Sequence, residues 1–222
     1  TPNCIRTTCY DAVSLDYKVV VLSDCCSSNT EEIQRANLLD MGNIGAKILS
    51  SDEFLPSLDG GRLSIRPAEM ADLDRCAEIE AACFPREQAA SRESIRDRLS
   101  VYPGHILLGE LDGNVIGYAM GPVIDVPAIA DEMFSDAACH DPAGPYQSVF
   151  SLAVHPDWQR QGFGRQLLNA LIDLARRENR WAVTLTCRQE KIAYYESFGF
   201  VNQGIASSVH GGAVWYDMVL PL

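Results

Sequence analysis

The sequence predicts a mixed α/β (α+β) fold, in which helices cover both faces of a sheet and a partial parallel α/β segment comes first. Three observations favour this fold. A β-branched run at 18–22 is followed by a helical pattern, as in parallel sheets. The turn signal Asp112-Gly113-Asn114 separates two apolar runs and predicts a hairpin. An apolar run at 149–154 leads through a glycine-rich loop into an amphipathic helical pattern.

The first 58 residues lack the partners that their own strand requires. Residues 18–22 are typical of a strand buried on both faces of a parallel sheet, and 30–41 have the spacing of a covering helix. About sixty residues rarely bury enough surface to fold alone, and an unpaired sheet edge favours association. We therefore expect 1–58 to be a fragment of a longer fusion protein, to favour a homo-oligomer, and to end at a linker, 59–61.

Residues 62–222 carry strand and helix signals in an order that suits a mixed sheet. Residues 63–66 alternate like a strand, and Pro67 is expected to open the first helix. A second helix around Ile95 precedes the predicted hairpin. The helix after the glycine-rich loop has an apolar stripe, formed by Phe163, Leu167, Leu168, Leu171, Leu174 and Ala175. A strand, a short helix and closing strands follow, and the last strand is predicted at 213–220.

The composition excludes several classes of protein. The formal net charge is −12 at pH 7, so phosphate is repelled and cationic amines are attracted. No apolar run is long enough to span a bilayer. The eight cysteines lack the spacing of a zinc site and suit a reducing compartment. We therefore expect a cytoplasmic protein with a small amine substrate and with no nucleic-acid, membrane or metal partner.

The loop at 159–164 predicts a site for a diphosphate. Glycines let the backbone approach a ligand closely, and the N–H groups in the first turn of the following helix attract anions. A nucleotide-phosphate loop would place Lys and Ser or Thr after its second glycine, but Arg165 and Gln166 follow Gly164. The three-glycine dinucleotide pattern is absent as well. The pattern that fits is Gln/Arg-x-x-Gly-x-Gly/Ala.

This pattern resembles the acetyl-CoA pyrophosphate loop of the GNAT family of N-acetyltransferases. A second motif, at 194–200, resembles the aromatic-Tyr-x-x-Phe-Gly-Phe sequence of the same family. Residues 80–85 and 87–91 are similar to its arylalkylamine (serotonin) N-acetyltransferase-like branch. The resemblance covers about 62–220. It implies a mixed sheet with helices on both faces and an acyl-CoA-dependent N-acetyltransferase that uses acetyl-CoA.

The resemblance also implies roles for individual residues. Main-chain groups of the strand at 152–154 would bind the acyl carbonyl and the pantetheine arm, and Tyr195 would protonate the leaving thiolate. The cofactor-binding residues are then Leu152, Ala153, Val154, Gln159, Arg160, Gln161, Gly162, Phe163, Gly164 and Arg165. The alternatives are a purely structural core strand at 152–154 and, for Tyr195, a core aromatic whose hydroxyl reaches the rim.

The base for the acceptor amine does not follow from the resemblance. Ser148 and Phe150 stand where the vertebrate branch has two histidines, and neither can act as a base near neutral pH. The remaining candidates are His140, Tyr146 with a water, an acidic residue at 131–132, or a chain of waters.

The acceptor site is predicted from two segments that resemble the loops around the aromatic amine in the named branch. They supply Phe84 and Pro85 near the first helix, and Asp131 and Glu132 further along the chain. We expect these residues to bind a small primary amine, arylalkylamine or polyamine-like, that attacks acetyl-CoA directly in a ternary complex. The alternative is a solvated acidic loop.

The first segment resembles a different family. Residues 1–12 and 17–24 are similar to the C-terminal part of isochorismatase-like cysteine hydrolases, in which Cys4 falls on the nucleophile. A helix start lowers the pKa of a thiol, but the upstream Asp and Lys of that family have no counterpart here. We therefore expect Cys4 to be a small buried hydrophobic residue in this chain. The alternatives for function are a cysteine hydrolase fused to a GNAT domain and a non-catalytic acyl-CoA-binding module.

Overall fold

The computed structural model describes residues 2–15, 17–58 and 63–222, and the chain divides into two compact units, Thr1–Arg62 and Leu63–Leu222. The predicted linker at 59–61 lies outside the described residues. Among the residues that are described, no helix is both long enough and apolar enough to cross a membrane.

The first unit is built on two parallel strands. Its elements are α1 (Pro2–Ser14), β1 (Val20–Leu22), α2 (Glu31–Asn43), β2 (Lys47–Leu49) and α3 (Ser51–Leu58). β1 and β2 pair in parallel, with Val21 opposite Ile48. The Thr30 hydroxyl accepts a hydrogen bond from the Ile33 N–H at 3.3 Å and so caps α2. The strand pair and its helix match the partial parallel α/β segment expected here.

The expectation that Cys4 is buried is wrong. Cys4 lies exposed on α1, whereas Cys9 is only 6% exposed and packs with Val21 and Met41 in the core of this unit. Ile5 packs against the same core. Ile5 and Cys9 share one face of the helix because they are four residues apart, and Cys4 is rotated away from that face.

The second unit contains two short sheets. Its elements are β3 (Ser64–Pro67), α4 (Leu73–Cys83), α5 (Arg92–Val101), β4 (Ile106–Leu111), β5 (Asn114–Met120), β6 (Val123–Ile124), β7 (Tyr146–Val149), β8 (Ser151–Val154), α6 (Phe163–Arg177), β9 (Ala182–Cys187), α7 (Ile192–Glu196), β10 (Val201–Ile205) and β11 (Tyr216–Pro221). One sheet has the order β3-β4-β5-β8 and is antiparallel. The other has the order β10-β11-β9-β7-β6, in which β7 and β9 are parallel.

Phe150 is the point at which the chain passes from one sheet to the other. The sequence predicts one continuous strand at 149–154, but Phe150 belongs to neither β7 nor β8. Its N–H donates to the Met120 carbonyl at 2.8 Å, and the next residue, Ser151, is paired with the same Met120. This extra residue breaks the strand, as β-bulges do, and turns it from β9 towards β5.

Helices cover both faces of the sheet formed by β3, β4, β5 and β8, as predicted. In β4, Ile106 and Leu108 pack into the core beneath α4 and α5, whereas Leu107 packs into the core beneath α6. The α6 residues in that second core are Phe163, Leu167, Leu168, Leu171, Ile172 and Ala175. The alternation of side chains along a strand therefore supplies two cores, and the predicted fold class is confirmed.

Two turn predictions have different outcomes. Asp112 and Gly113 both have positive φ, 51° and 78°, which is the two-residue hairpin turn expected between β4 and β5. Pro67 does not open a helix; it ends β3, and α4 begins only at Leu73. An edge strand tolerates proline because the missing N–H costs no ladder bond.

Candidate active site

A gap opens between β8 and β9. The parallel pairing of β7 with β9 ends at Val149 and Leu185, after which the chain turns at Phe150. Among the described strands, β8 pairs with β5 only. The two strands therefore separate from Ser151 onwards.

Main-chain groups of Leu152 and Val154 face this gap. The His155 N–H donates to the Ile116 carbonyl at 2.8 Å, and Val154 is paired with Gly117. Because hydrogen bonding alternates along an antiparallel ladder, the main-chain groups of Ala153 point towards β5 and those of its two neighbours point away from it. The main-chain groups of Ala153, which is also predicted to bind the cofactor, are therefore directed at β5 and not at the gap.

The carbonyl of Val154 already has two hydrogen-bond donors. It accepts hydrogen bonds from the Cys83 thiol at 3.1 Å and from the Gln159 side-chain amide at 2.9 Å. Gln159 thus links the start of the loop to the strand. The groups that remain for a pantetheine arm are the N–H groups of Leu152 and Val154 and the carbonyl of Leu152.

The loop before α6 has the geometry of an anion site. Gly162 is the N-cap of α6 with φ of 83°, a conformation that glycine adopts without strain. The first hydrogen bond of the helix runs from the Gln166 N–H to the Gly162 carbonyl at 3.2 Å, so the N–H groups of Phe163, Gly164 and Arg165 precede it. No side chain of the described residues caps this end. The helix dipole and these donors give this end of α6 the chemistry that attracts an anion.

Gly164 keeps this end of the helix open. A Cβ at Gly164 would lie 3.5 Å from the Tyr194 hydroxyl and 3.8 Å from Val154 Cγ2. The space beside Gly164 therefore joins the loop, β8 and α7, and a longer side chain would fill it.

The charged residues of the loop have different surroundings. Arg160 is exposed with a positive φ of 60°. Arg165 instead donates to the Ser197 hydroxyl at 2.9 Å, and its guanidinium lies 4.3 Å from the centre of the Phe198 ring. Arg165 therefore ties α6 to the α7 segment, and its own side chain is less available to a diphosphate than the sequence suggests.

Tyr195 lies on α7, next to Tyr194. It is partly buried against the α6 core, its ring meets Phe200 edge-on at 5.8 Å, and burial, together with the nearby Cys187 thiol, raises its pKa. Tyr195 therefore carries its proton at neutral pH, as a proton donor must.

A cavity of about 520 Å³ opens at the point where the two strands separate. Phe150 and Thr186, the first residues past the last paired positions, both line it, and so does Ser151. Of the four residues predicted to bind the acceptor, Phe84 and Asp131 line it. Its described lining does not include the other two predicted acceptor residues, Pro85 and Glu132.

The Asp131 side chain holds the loop that forms one wall of this cavity. Its carboxylate accepts hydrogen bonds from the Ser208 hydroxyl and from the Val209 N–H at 3.1 Å, and these bonds lower its pKa. The same loop is held by the His210 ring, 3.3 Å from the Gln88 carbonyl, and by the Trp215 indole N–H, which donates to the His210 carbonyl at 2.8 Å. Three segments distant in sequence thus close one wall.

Two of the bases proposed from the sequence, His140 and Tyr146, lie elsewhere. His140 packs against Tyr102 and His105, and its Nδ1 accepts the Val123 N–H at 3.1 Å; burial lowers its pKa. Tyr146 meets Trp181 edge-on at 6.2 Å. Neither His140 nor Tyr146 is among the described residues that line the cavity.

Sequence reasoning missed Glu80, whose carboxylate lines the cavity although the residue is only 2% exposed. A signal was present. Glu80 lies four residues after Cys76 and three before Cys83, on the buried stripe of α4. A carboxylate on an apolar stripe is rarely buried without partners or a role.

Comparison with known proteins supports both halves of the chain. The acetyltransferase (GNAT) family model matches residues 73–200, and the isochorismatase domain model matches residues 1–53. A probable inactive nicotinamidase of Arabidopsis thaliana is 51% identical over 26% of this chain and 30% of its own length. The probable hydrolase YhcX of Bacillus subtilis is 28% identical over 53% of this chain and 24% of its own length. The chain thus spans less than a third of the length of these two relatives.

The acetyltransferase unit has a further relative. The N-alpha-acetyltransferase RimI of Mycobacterium tuberculosis is 27% identical over 67% of this chain and 85% of its own length. The arylalkylamine branch remains a prediction, since this relative is a RimI protein.

Solved structures share the fold. A GNAT-like decarboxylase, GphF, in complex with isobutyryl-CoA has a TM-score of 0.62 at 22% identity, covering 71% of this chain and 98% of its own. The ribosomal-protein-S18-alanine N-acetyltransferase of Escherichia coli has a TM-score of 0.55 at 23% identity, covering 72% and 94%. The predicted class, an acyl-CoA-dependent N-acetyltransferase, and the predicted cofactor, acetyl-CoA, agree with the family match. The chain belongs to the acetyltransferase (GNAT) family and carries an isochorismatase-like segment before that domain.

Proposed function

We propose that residues 63–222 transfer the acetyl group of acetyl-CoA to a small primary amine by direct attack in a ternary complex. The observation that carries this proposal is the cavity that meets the strand gap at Ser151 and Thr186. A donor held from the α6 side and an acceptor held from the cavity side would meet there.

Main-chain groups would hold the donor. The N–H groups of Leu152 and Val154 would receive the pantetheine arm and the acyl carbonyl, and the first turn of α6 would receive the diphosphate. When bound, acetyl-CoA supplies the activated thioester. Tyr195 would give its proton to the sulfur as the C–S bond breaks, because a tyrosine near the leaving group can protonate a forming thiolate.

Side chains would select the acceptor. The carboxylates of Glu93, Asp97 and Asp131 line the cavity and attract a cation. The positive charge of Arg98 is directed away from the acceptor. Its guanidinium donates to the Phe134 carbonyl at 2.7 Å and lies 5.6 Å from the centre of the Phe150 ring. These carboxylates would therefore bind the second cationic group of an acceptor that carries one in addition to the reacting amine.

The cavity also offers aromatic surface. The Phe134 ring lies 4.7 Å from the Phe150 ring and stacks on the His210 ring at 4.7 Å. The Trp215 ring lies on the other side of this series, next to the His210 ring. Rings of this kind pack on an aryl group or, through their faces, on an ammonium. Arylalkylamines and polyamines are therefore the two acceptor classes that this cavity favours.

A second acceptor class is the N-terminus of a protein. The relative RimI, matched over 67% of this chain, is named an N-alpha-acetyltransferase. A peptide N-terminus is also a primary amine, and a basic peptide would meet the same carboxylates. Two functions of a different kind compete with amine acetylation: cysteine hydrolysis by a protein that completes the isochorismatase-like segment, and acyl-CoA binding without catalysis.

A panel assay separates these functions. CoA release from acetyl-CoA would be measured with tryptamine, with spermidine and with a basic peptide that begins with alanine. Preferred turnover of either small amine supports the proposal. Turnover of the peptide alone would show that the domain acetylates proteins. Binding of CoA without turnover of any amine would show that the domain binds acyl-CoA without catalysis.

A further inference from the structure

We propose that Glu80 accepts, through the hydroxyl of Ser151, the proton that the acceptor amine loses during acetyl transfer. This inference rests on the proposed function. It assigns the base that could not be derived from the sequence.

The geometry forms a short relay. Glu80 Oε1 accepts hydrogen bonds from the Ser151 hydroxyl at 3.3 Å and from the Ala90 N–H at 2.9 Å, and Glu80 Oε2 accepts one from the Tyr118 hydroxyl. Both Glu80 and Ser151 line the cavity. Ser151 is the first residue of β8, beside the gap in which the thioester would lie. Its oxygen keeps lone pairs for an amine N–H while its proton points to Glu80.

Other carboxylates at the cavity suit this role less well. Asp131 holds the Ser208 and Val209 loop, and the resulting lowering of its pKa makes it a poor proton acceptor. Glu93 and Asp97 lie at exposed positions of α5, where both pair with Arg96. Glu80 combines burial with a direct link to the strand gap.

The titratable groups around Glu80 keep their protons near neutral pH. Burial and the facing carboxylate raise the pKa of Tyr118, which packs against Glu80 from β5. On the same helix, burial raises the pKa of Cys76 to about 12 and also raises that of Cys83. Arg98 lines the same cavity from α5 as a permanent cation. These neighbours therefore do not compete with the Glu80 carboxylate for the amine proton.

The proton balance is complete. The amine nitrogen forms a bond to the acyl carbon and gives one proton to Ser151 Oγ, while Ser151 gives its own proton to Glu80. The C–S bond breaks with its electron pair on sulfur, and Tyr195 protonates that sulfur. The products are the amide and CoA. Glu80 then releases a proton and Tyr195 regains one, both through solvent.

The test compares Glu80→Gln with Glu78→Gln. Both residues lie on α4, but Glu78 is exposed and pairs with Arg75 at 2.8 Å, away from the cavity. With the acceptor on which the wild type is most active, Glu80→Gln is expected to lower kcat about 100-fold or more, a typical contribution of a general base, with little change in KM for acetyl-CoA. It should also abolish the fall of kcat at acidic pH. Glu78→Gln should keep the wild-type rate and pH profile.

Ser151→Ala provides the second variant. It keeps the carboxylate and its bonds to Ala90 and Tyr118, so folding is preserved even where Glu80→Gln fails to fold, and kcat should fall about tenfold or more if the relay passes through the hydroxyl. A folded Glu80→Gln with a wild-type rate and pH profile would overturn the inference, as would an unchanged rate in Ser151→Ala. A wild type that acetylates no amine or peptide would instead overturn the proposed function itself.

Discussion

The proposed donor side and the proposed acceptor side of the candidate site are built in different ways. The donor side consists of main-chain groups, those of Leu152 and Val154 and the first turn of α6. The acceptor side consists of side chains from segments far apart in sequence, such as Glu80, Asp131 and Trp215. Main-chain sites depend on backbone geometry, which glycines specify locally, whereas the side-chain cavity depends on how distant loops meet. Substitutions on the two sides should therefore affect different kinetic parameters.

The largest expected effect is on the donor side. Gly164→Glu places a carboxylate in the first turn of α6, beside the expected diphosphate, and should weaken CoA binding about 100-fold or more by charge repulsion. The helix itself should tolerate the change, because an acidic residue suits its N-terminal dipole. Titration calorimetry with CoA measures the loss.

Gly164→Ala is the matched control. Its Cβ would make ordinary contacts with Tyr194 and Val154, at 3.5 and 3.8 Å, so most of the CoA affinity should remain. Equal CoA affinity of Gly164→Glu and the wild type would show that the diphosphate does not lie here.

The next effect separates chemistry from binding. Tyr195→Phe removes the proton for the leaving thiolate, and kcat should fall about 10- to 100-fold while the affinity for acetyl-CoA stays nearly constant. Its neighbour offers a contrast, since the Tyr194 hydroxyl lies beside Gly164. Tyr194→Phe should therefore alter cofactor affinity more than kcat. Steady-state kinetics and calorimetry together decide, and a normal kcat in Tyr195→Phe would remove this tyrosine from the mechanism.

A smaller effect is expected on the acceptor side. Asp131→Asn weakens the latch on Ser208 and Val209, so KM for the amine should rise about five- to tenfold with little change in cofactor affinity. Glu132→Gln is the control, because Glu132 is not among the described residues that line the cavity, whereas Asp131 is.

The same residue predicts a pH dependence. The pKa of Asp131 is lowered in the folded protein, so the latch is fully formed above the ordinary carboxyl range and is lost as the pH falls through the lowered value. KM for the amine should therefore rise at acidic pH in the wild type and vary less in Asp131→Asn. A pH profile of KM with identical slopes in the two proteins would contradict this role.

The smallest effect is expected in the first unit, which contributes to neither the donor side nor the acceptor side. Cys4→Ala changes an exposed residue of the isochorismatase-like segment and should leave the acetylation rate and the melting temperature unchanged. The measurement would include amide hydrolysis. Hydrolysis by the wild type that Cys4→Ala abolishes would show an active cysteine hydrolase and would overturn the interpretation of 1–58 as a partial segment.

Much of the fold could be predicted because its signals are local. The stripe of α6 follows a helical period, and all its predicted members lie in or against one core, with Leu174 partly buried and Ile172 in addition. The turn at Asp112 and Gly113 follows from residues that tolerate positive φ. The prediction that Pro67 opens a helix was wrong because a proline suits a helix start and an edge strand equally well. Only the order of the strands in the sheet distinguishes the two positions.

The candidate site was only partly predictable. Gly162 and Gly164 indicate an anion site through backbone chemistry alone. The redirection of Arg165 onto Phe198 was not visible, because it depends on the position of α7 relative to α6. The burial of Glu80 was masked by the general expectation that glutamate is exposed.

By itself, the sequence determined the periodic and backbone-coded features of this protein: two helix-covered sheet faces, the hairpin, and a glycine loop that leaves helix donors open to a diphosphate. Only the tertiary structure decided that Phe150 carries the strand from β9 to β5, that a cavity opens at that break, and that Asp131 and Glu80 hold its walls. The reason is physical. Local features depend on φ, ψ and residue period, whereas a cavity exists only where separate segments of the chain pack against one another.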